Sequence, residues 1–409
     1  MNTELRVLVS GGGIAGNAVA LQLVRAGIRT TVVERASAPR PGGQAVDLRG
    51  PSREVAARMG LMPGIRSRQL DERGMAYVDR SGRAYVRMPA EMFDGNGPVA
   101  DIEITRGDLN QVLLDTLAAT GAELDYRYGE RIESLTQHDD GVEVGFASGT
   151  VERFDLVVGA DGVHSATRRL AFGPEERFST YLGGYTSYFT VPTPAGVEPG
   201  WMAMHLAPRV AVGLRPDTDP RTAKAIVMVR VEADPALRRD VEAQQGLIRR
   251  MLADAGWITP HILDAMPGAP DFYFDELARI DMPSLSAGRV TLLGDAGYCG
   301  SPLSGMGTAM ALVGAYLLAG ELAADPSDPV AALARYEAGV TPFLDKAKEL
   351  PGGGISMMLP TTRIGSLLTR AMARLMVSRP LRPVMIKMMS GTDDYELPSY
   401  PADSASSTR

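Results

Sequence analysis

Three short motifs bring together the groups in this chain that could do chemistry. The first, Gly11-Gly12-Gly13-Ile14-Ala15-Gly16, fits G-x-G-x-x-G between a β-branched run and a helical stretch. Gly11, Gly13 and Gly16 permit a tight turn, close backbone approach to a pyrophosphate and tight helix–strand packing. The helix N-terminus, with Ile14 and Ala15, then offers unpaired N–H groups and positive dipole to phosphates. Glu34 closes the next predicted strand, where a carboxylate accepts from a ribose hydroxyl. Arg35 follows it at once, placed for a phosphate or a base. The second motif runs from Asp155 through Gly159-Ala-Asp161-Gly162 to Ser165, with Arg168 just beyond. The third runs from Arg289 through Gly294-Asp295 to Ser301-Pro302 and Gly305-Met306-Gly307. In both, a buried strand ends in glycine and aspartate beside a helix start. Carboxylates there, at Asp161 and Asp295, suit ribityl or ribose hydroxyls. The chemistry is dinucleotide binding. The first motif alone serves a nicotinamide nucleotide or a flavin equally well.

Other chemistries lack their residues. The 409-residue chain has one cysteine, Cys299, and four histidines, so no cysteine cage or multi-histidine metal site is expected. Lysine and arginine total 42 against 49 acidic residues, a net charge of −7, which is not the footprint of a nucleic-acid binder. His164 and His205 read as structural, Cys299 as a small buried hydrophobe, and no catalytic side chain is assigned. No export signal precedes Arg6, and the reading is cytoplasmic. The uncharged stretch Ala296–Gly320 is broken by glycine and proline before Met306. It reads as a buried helix and not as a membrane span.

The three motifs, in this order and over nearly the whole chain, resemble the group A flavoprotein monooxygenases, the family of 4-hydroxybenzoate hydroxylase. The resemblance implies FAD as cofactor and NADPH or NADH as co-substrate. It also implies that a flavin C4a-hydroperoxide formed from O2 hands one oxygen atom to an organic substrate. It implies FAD contacts for Arg106, in Ile104-Thr-Arg106-Gly-Asp-Leu109, where a cation otherwise opposes the helix dipole. Gly42-Gly43-Gln-Ala-Val-Asp47-Leu48 resembles the tetracycline-inactivating branch, implying an FAD contact for Asp47 and an NADPH contact for Arg40. The chain departs from the family at two places. Gly297-Tyr298 replaces Ala-His, and Ala309 stands where an asparagine usually addresses the flavin ring. Backbone N–H groups at Met306 and Gly307, reached through Gly305, are the remaining candidates for that contact.

These motifs demand an α/β fold: a Rossmann-like FAD-binding domain, an inserted antiparallel β-sheet substrate domain and C-terminal helices. The expected boundaries are 1–174 with 286–350 for the FAD domain, 175–285 for the sheet, 351–398 for bridging helices and 399–409 for a frayed tail. Helices are expected at Ser52–Met59, capped by Ser52, and at Asp108–Thr120. Strands are expected near 186–191, 201–206, 210–214 and 225–231. Phe189, Trp201, Met202, Met204, Arg209 and Pro302 are the candidates for a substrate wall, whose bulk suits a hydrophobic aromatic or polyketide-like molecule. Between Ile355 and Ser390 stand seven methionines and six basic residues. This segment reads first as a packed helix with a solvated basic face, then as pocket lining or a membrane-surface helix. Hydroxylation is the expected outcome. Baeyer–Villiger oxygenation, flavin-dependent oxidoreduction without oxygen transfer, and a non-catalytic flavoprotein that sequesters a small molecule stay open beside it.

Overall fold

Short apolar runs that are buried on both faces build the first layer of the protein. The computed structural model describes residues 5–40, 42–93, 102–350, 354–378, 380, 381, 383, 385 and 395–400. A six-stranded sheet has the order Ser286–Ala287, Val290–Leu292, Leu156–Gly159, Arg6–Ser10, Arg29–Glu34, Asp125–Tyr128. The last five pair in parallel, Val9 opposite Val158 on one side and Val32 on the other. Parallel strands need crossover elements on both faces, so their residues face protein on each side and read as continuous hydrophobic runs. One face carries the helices Ile14–Arg25, Arg106–Ala119 and Gly307–Ala324. The other carries a three-stranded sheet, Ile132–His138, Gly141–Phe146 and Val151–Phe154. From Arg6–Ser10 the chain proceeds to one neighbour directly and reaches the other only after residue 155, so the sheet order reverses there. Ligands of such sheets bind at that reversal, outside the carboxyl ends of the strands.

The second layer is a seven-stranded sheet, ordered Tyr273–Ile280, Ser179–Pro192, Thr222–Val229, Val210–Pro216, Trp201–Ala207, Gly74–Val78, Ala84–Pro89. The sheet expected within 175–285 is therefore joined by two strands from outside that range. Gly74–Val78 pairs in parallel with Trp201–Ala207, and every other pairing in this sheet is antiparallel. One face packs on the helices Val241–Leu252 and Thr259–Ala265. The opposite face looks toward the first layer.

Element ends differ from the sequence reading where capping chemistry decides them. The helix expected from Ser52 starts at Gly50; Ser52 sits in its first turn, where its hydroxyl donates to the Arg49 carbonyl at 2.7 Å and accepts the Arg49 N–H at 3.2 Å. The helix expected from Asp108 starts at Arg106, because Thr105 Oγ1 accepts the Asp108 N–H at 3.0 Å and takes the cap. Gly307–Ala324 is long and apolar enough to cross a membrane by length and composition, yet 72% of it is buried. It lies between Ile14–Arg25 and Pro329–Ala347. Tyr400, placed in the expected frayed tail, packs edge-on to Tyr316 and donates to Glu321 at 2.9 Å. Residues 401–409, and positions 351–353, 379, 382, 384 and 386–394 of the expected bridging segment, lie outside the described residues.

Candidate active site

The glycine turn at Ser10 divides its work by position. Gly11 has φ +111°, and a Cβ there would lie 2.4 Å from the Ala160 carbonyl, so the first and second motifs touch through backbone alone. A Cβ on Gly16 would lie 1.8 Å from the Gly11 carbonyl oxygen, which lets the helix fold back onto its own turn. Gly13 is different: a Cβ there would meet nothing within 4 Å, because its open side faces a large cavity. Ile14 and Ala15 line that cavity too, at the first helical turn, whose N–H groups have no intrahelical acceptor. Glu34 receives the Gly12 and Ala36 N–H groups at 2.8 Å each and so braces the turn.

The two Gly-Asp motifs part company. Asp295, opening the short helix Asp295–Tyr298, lines the cavity together with Gly305 and Gly307. The Asp161 carboxylate turns away to its own helix start. It accepts from Ser165 Oγ at 2.5 Å and from Thr167 N and Oγ1 at 2.9 and 3.1 Å, leaving Gly162 to face the cavity. The strand-end aspartate expected to reach a ribose instead accepts the Thr167 N–H at the start of helix Ala166–Phe172, whose cap is Ser165. Met306 caps Gly307–Ala324 and its N–H donates to Ser304 Oγ at 3.3 Å. Arg168 joins the two motifs: fully buried, it donates to Val163 O at 2.6 Å, Ala296 O at 2.8 Å and Glu175 at 3.0 Å.

The cavity has a volume of ≈740 Å³, within the usual range for ligand pockets of about 300–1,000 Å³. Asp47 and Arg106 line it, with Asp47 ion-paired to Arg49. Exposed Arg35 and Arg40 do not line it. Its far wall is the large sheet. Met202 and Met204 belong to this wall, and Pro302 lines the cavity from the loop after Asp295–Tyr298; Phe189, Trp201 and Arg209 do not line it. Strand residues alternate between faces, and the expected wall fell on both. Tyr188 faces the cavity, whereas Phe189 packs at a tilt against Phe272 in the core beneath. Met202 and Met204 likewise leave Trp201 on the other face, under the Arg87 guanidinium at 4.0 Å. Arg209 occupies the tight turn after Ala207 with φ 66°, its N–H donating to Pro360 O at 2.9 Å.

Several lining groups were missed in the sequence. Arg215 reaches the cavity from the large sheet and clamps Glu72 at 2.8 Å, Glu103 at 2.5 Å and the Ala45 carbonyl at 3.0 Å. Burial, outweighing the Arg215 charge, pushes Glu72 up to about 7. This clamp ties the Asp47 strand to the second layer. Its members come from four separate segments, so no local pattern announces it.

The second missed group is a chain of hydrogen bonds ending at the cavity. Tyr273 donates to Asp275 Oδ2 at 2.8 Å, and both residues line the wall. His164 Nε2 meets Asp275 Oδ1 at 3.1 Å, and its Nδ1 meets Glu175 at 3.0 Å. Hydrogen bonds to Asp275, then Glu175, push His164 up to about 10 despite desolvation, so it is an imidazolium donating from both nitrogens. Burial opposes ionisation of Asp275, but the His164 and Tyr273 hydrogen bonds outweigh it and hold the carboxyl below its usual range. A raised histidine stabilises the fold fully below its unfolded value of 6.5 and loses that stabilisation as pH rises through about 10. Melting curves of the parent and a His164→Gln variant should therefore differ most near pH 6 and converge above pH 10. A pH-independent difference would remove the charge from the argument. Cys299, at the cavity edge, is buried, and burial pushes its thiol up, away from the thiolate that nucleophilic chemistry needs.

Residues 4–349 match the family described as FAD binding domain. The chain belongs to the group A FAD-dependent monooxygenases. The monooxygenase is 38% identical over 346 residues to a flavin-dependent monooxygenase of Legionella longbeachae serogroup 1 (strain NSW150), covering 84% of this chain and 87% of that protein. It is 34% identical over 371 residues to the FAD-dependent monooxygenase asL4 of Sarocladium schorii, covering 85% and 86%. Among solved structures, tetracycline destructase Tet(51) superposes with a TM-score of 0.79 at 32% identity, covering 98% of this chain and 100% of that one. The cavity fits the cofactor that this family binds. Gly13 keeps its side open, the helix N-terminus behind it supplies free N–H groups, and Asp295 and Gly307 face the same space.

Proposed function

We propose that this monooxygenase consumes NADPH or NADH and O2 to hydroxylate a hydrophobic aromatic or polyketide-like molecule in the cytoplasm. Gly13, Ile14 and Ala15 would hold the FAD pyrophosphate by backbone and helix dipole, with Glu34 toward the adenosine ribose. Asp47, Arg106, Asp295, Gly305 and Gly307 would hold the remainder. When bound, FAD would supply the redox chemistry of the site, linking reducing equivalents from a nicotinamide to activation of dioxygen. The protein's task is to position the substrate, shield it from water and manage its protons.

One observation carries the substrate reading. The wall facing Asp295 combines Met75, Met202, Met204 and Met228 with the rings of Tyr188 and Tyr273. Four flexible, polarizable methionines conform to flat, irregular apolar ligands. Within that wall the Tyr273 hydroxyl already gives its hydrogen to Asp275, so its remaining lone pair can only accept. A phenolic or enolic O–H on the substrate satisfies that acceptor. The charged His164–Asp275 pair fixes the arrangement from behind. The name of the structural neighbour Tet(51) makes tetracycline the first polycyclic enol to test.

The experiment is a screen of NADPH and NADH oxidation across hydroxylated aromatic natural products under 18O2. Substrate-stimulated oxidation with one 18O atom in the product is expected. An unlabelled product would end the monooxygenation reading for that compound. Tyr273→Phe should raise KM for a hydroxylated substrate about 2- to 10-fold, the worth of one neutral hydrogen bond, with flavin content unchanged. A substrate lacking the hydroxyl should not distinguish the two enzymes.

A further inference from the structure

Helix Arg363–Met376 is built inside out. Ile364, Leu367, Leu368, Met372 and Leu375 recur at the 3, 4, 7 and 8 spacing that makes one continuous face, and all are between 53 and 72% exposed. The inward face is small and polar instead. Ser366 is buried, Arg370 donates to Leu206 O at 3.1 Å, and the Arg370 and Arg374 guanidinium groups lie over the Tyr85 ring. The face expected to pack is thus turned outward, while Arg363 and Arg374 stay exposed. An apolar stripe of this length turned outward on a soluble chain marks a docking surface.

Charge selects the occupant. No acidic residue occurs from Leu350 to Thr392, while six basic residues do, in a chain of net charge −7. A second copy would bring the same cationic segment against itself, since a two-fold interface presents one patch to both partners. An anionic lipid surface complements both the stripe and the exposed Arg363 and Arg374 of the same helix. At 14 residues the helix is about 21 Å long, too short to cross a bilayer and suited to lying in its plane. Its position adds a reason: Leu368 and Met372 belong both to the stripe and to the lining of the cavity.

We propose that the exposed face of Arg363–Met376 docks on anionic membrane surfaces, placing the cavity mouth against the lipid from which an apolar substrate would enter. The surface stands whether or not the preceding reading of substrate and co-substrate holds.

The test is co-sedimentation of the full chain, as purified, with sucrose-loaded vesicles of phosphatidylcholine alone or mixed equally with phosphatidylglycerol. The protein should pellet with the mixed vesicles, far less with phosphatidylcholine, and less as salt rises. Ile364→Glu, Leu367→Glu and Leu375→Glu together lie outside the cavity lining and should reduce pelleting roughly tenfold or more. Parental circular dichroism and flavin absorbance of that variant exclude misfolding as the cause. A parent that stays in the supernatant with both vesicles overturns the proposal, as does pelleting that the triple variant retains. Sedimentation velocity supplies the last arm: a parental dimer that the triple variant dissolves assigns the face to a second copy and overturns the lipid.

Discussion

Gly16→Ala should purify colourless and melt far below the parent. The added methyl carbon would sit 1.8 Å from the Gly11 carbonyl oxygen, and backbone cannot rotate aside as a side chain can. Overpacking a core commonly costs about 1–3 kcal/mol, and a backbone obstacle puts this case at or above the top of that range. Relief requires the helix to lift from the turn, which moves the N–H groups of Ile14 and Ala15 that face the cavity. Stability and flavin binding should therefore fall together. Gly13→Ala is the matched control, since its methyl would meet no protein atom within 4 Å. The apoprotein should melt like the parent but bind FAD more weakly, because the methyl occupies the cofactor's approach. Thermal melts of flavin-stripped protein and FAD titration separate the two. Equal behaviour of both variants would sink the division of labour between these glycines.

Arg168→Met should be the most damaging change outside the glycine turn. The side chain is fully buried and satisfies Val163 O, Ala296 O and Glu175 at once. Methionine fills much of the volume but leaves two carbonyls without their donor. Removing one member of a buried ionic group typically costs about 3–5 kcal/mol. Glu175 keeps its His164 and Arg238 contacts, which places the expected loss toward the lower end. The consequence reaches the cofactor because Val163 and Ala296 flank Gly162 and Asp295, both on the cavity. Flavin content should drop, and Arg168→Lys should recover part of it, since an ammonium reaches fewer acceptors than a planar fork. A methionine variant with parental melting temperature and flavin content would show the guanidinium to be dispensable.

What could be read from the sequence follows from how far its signals reach along the chain. Each glycine motif is a contiguous strand, turn and helix, so its type, place and purpose are written within a dozen or so neighbours. Asp295 and Gly13 face the cavity for that reason. Facing direction within a strand is a finer question, because moving by one residue exchanges the two sides. Met202 and Met204 fell on the cavity side, and Trp201, one residue earlier, on the other. Phe189 and Tyr188 repeat the lesson. The Arg215 clamp and the Tyr273–Asp275–His164 chain join residues more than a hundred positions apart, and no local spacing encodes such meetings.

Because Gly74–Val78 and Ala84–Pro89 are stitched into the large sheet beside Trp201–Ala207, that sheet is not a detachable cassette. Transplanting residues 175–285 from a relative would import one part of the cavity wall while the host kept Met75 and Tyr77 in the other. The foreign Trp201-equivalent strand would also have to find its parallel partner among unfamiliar side chains. Engineers who want a new substrate range should move both stretches as one unit, and natural recombination between such genes should carry crossover points that keep them together.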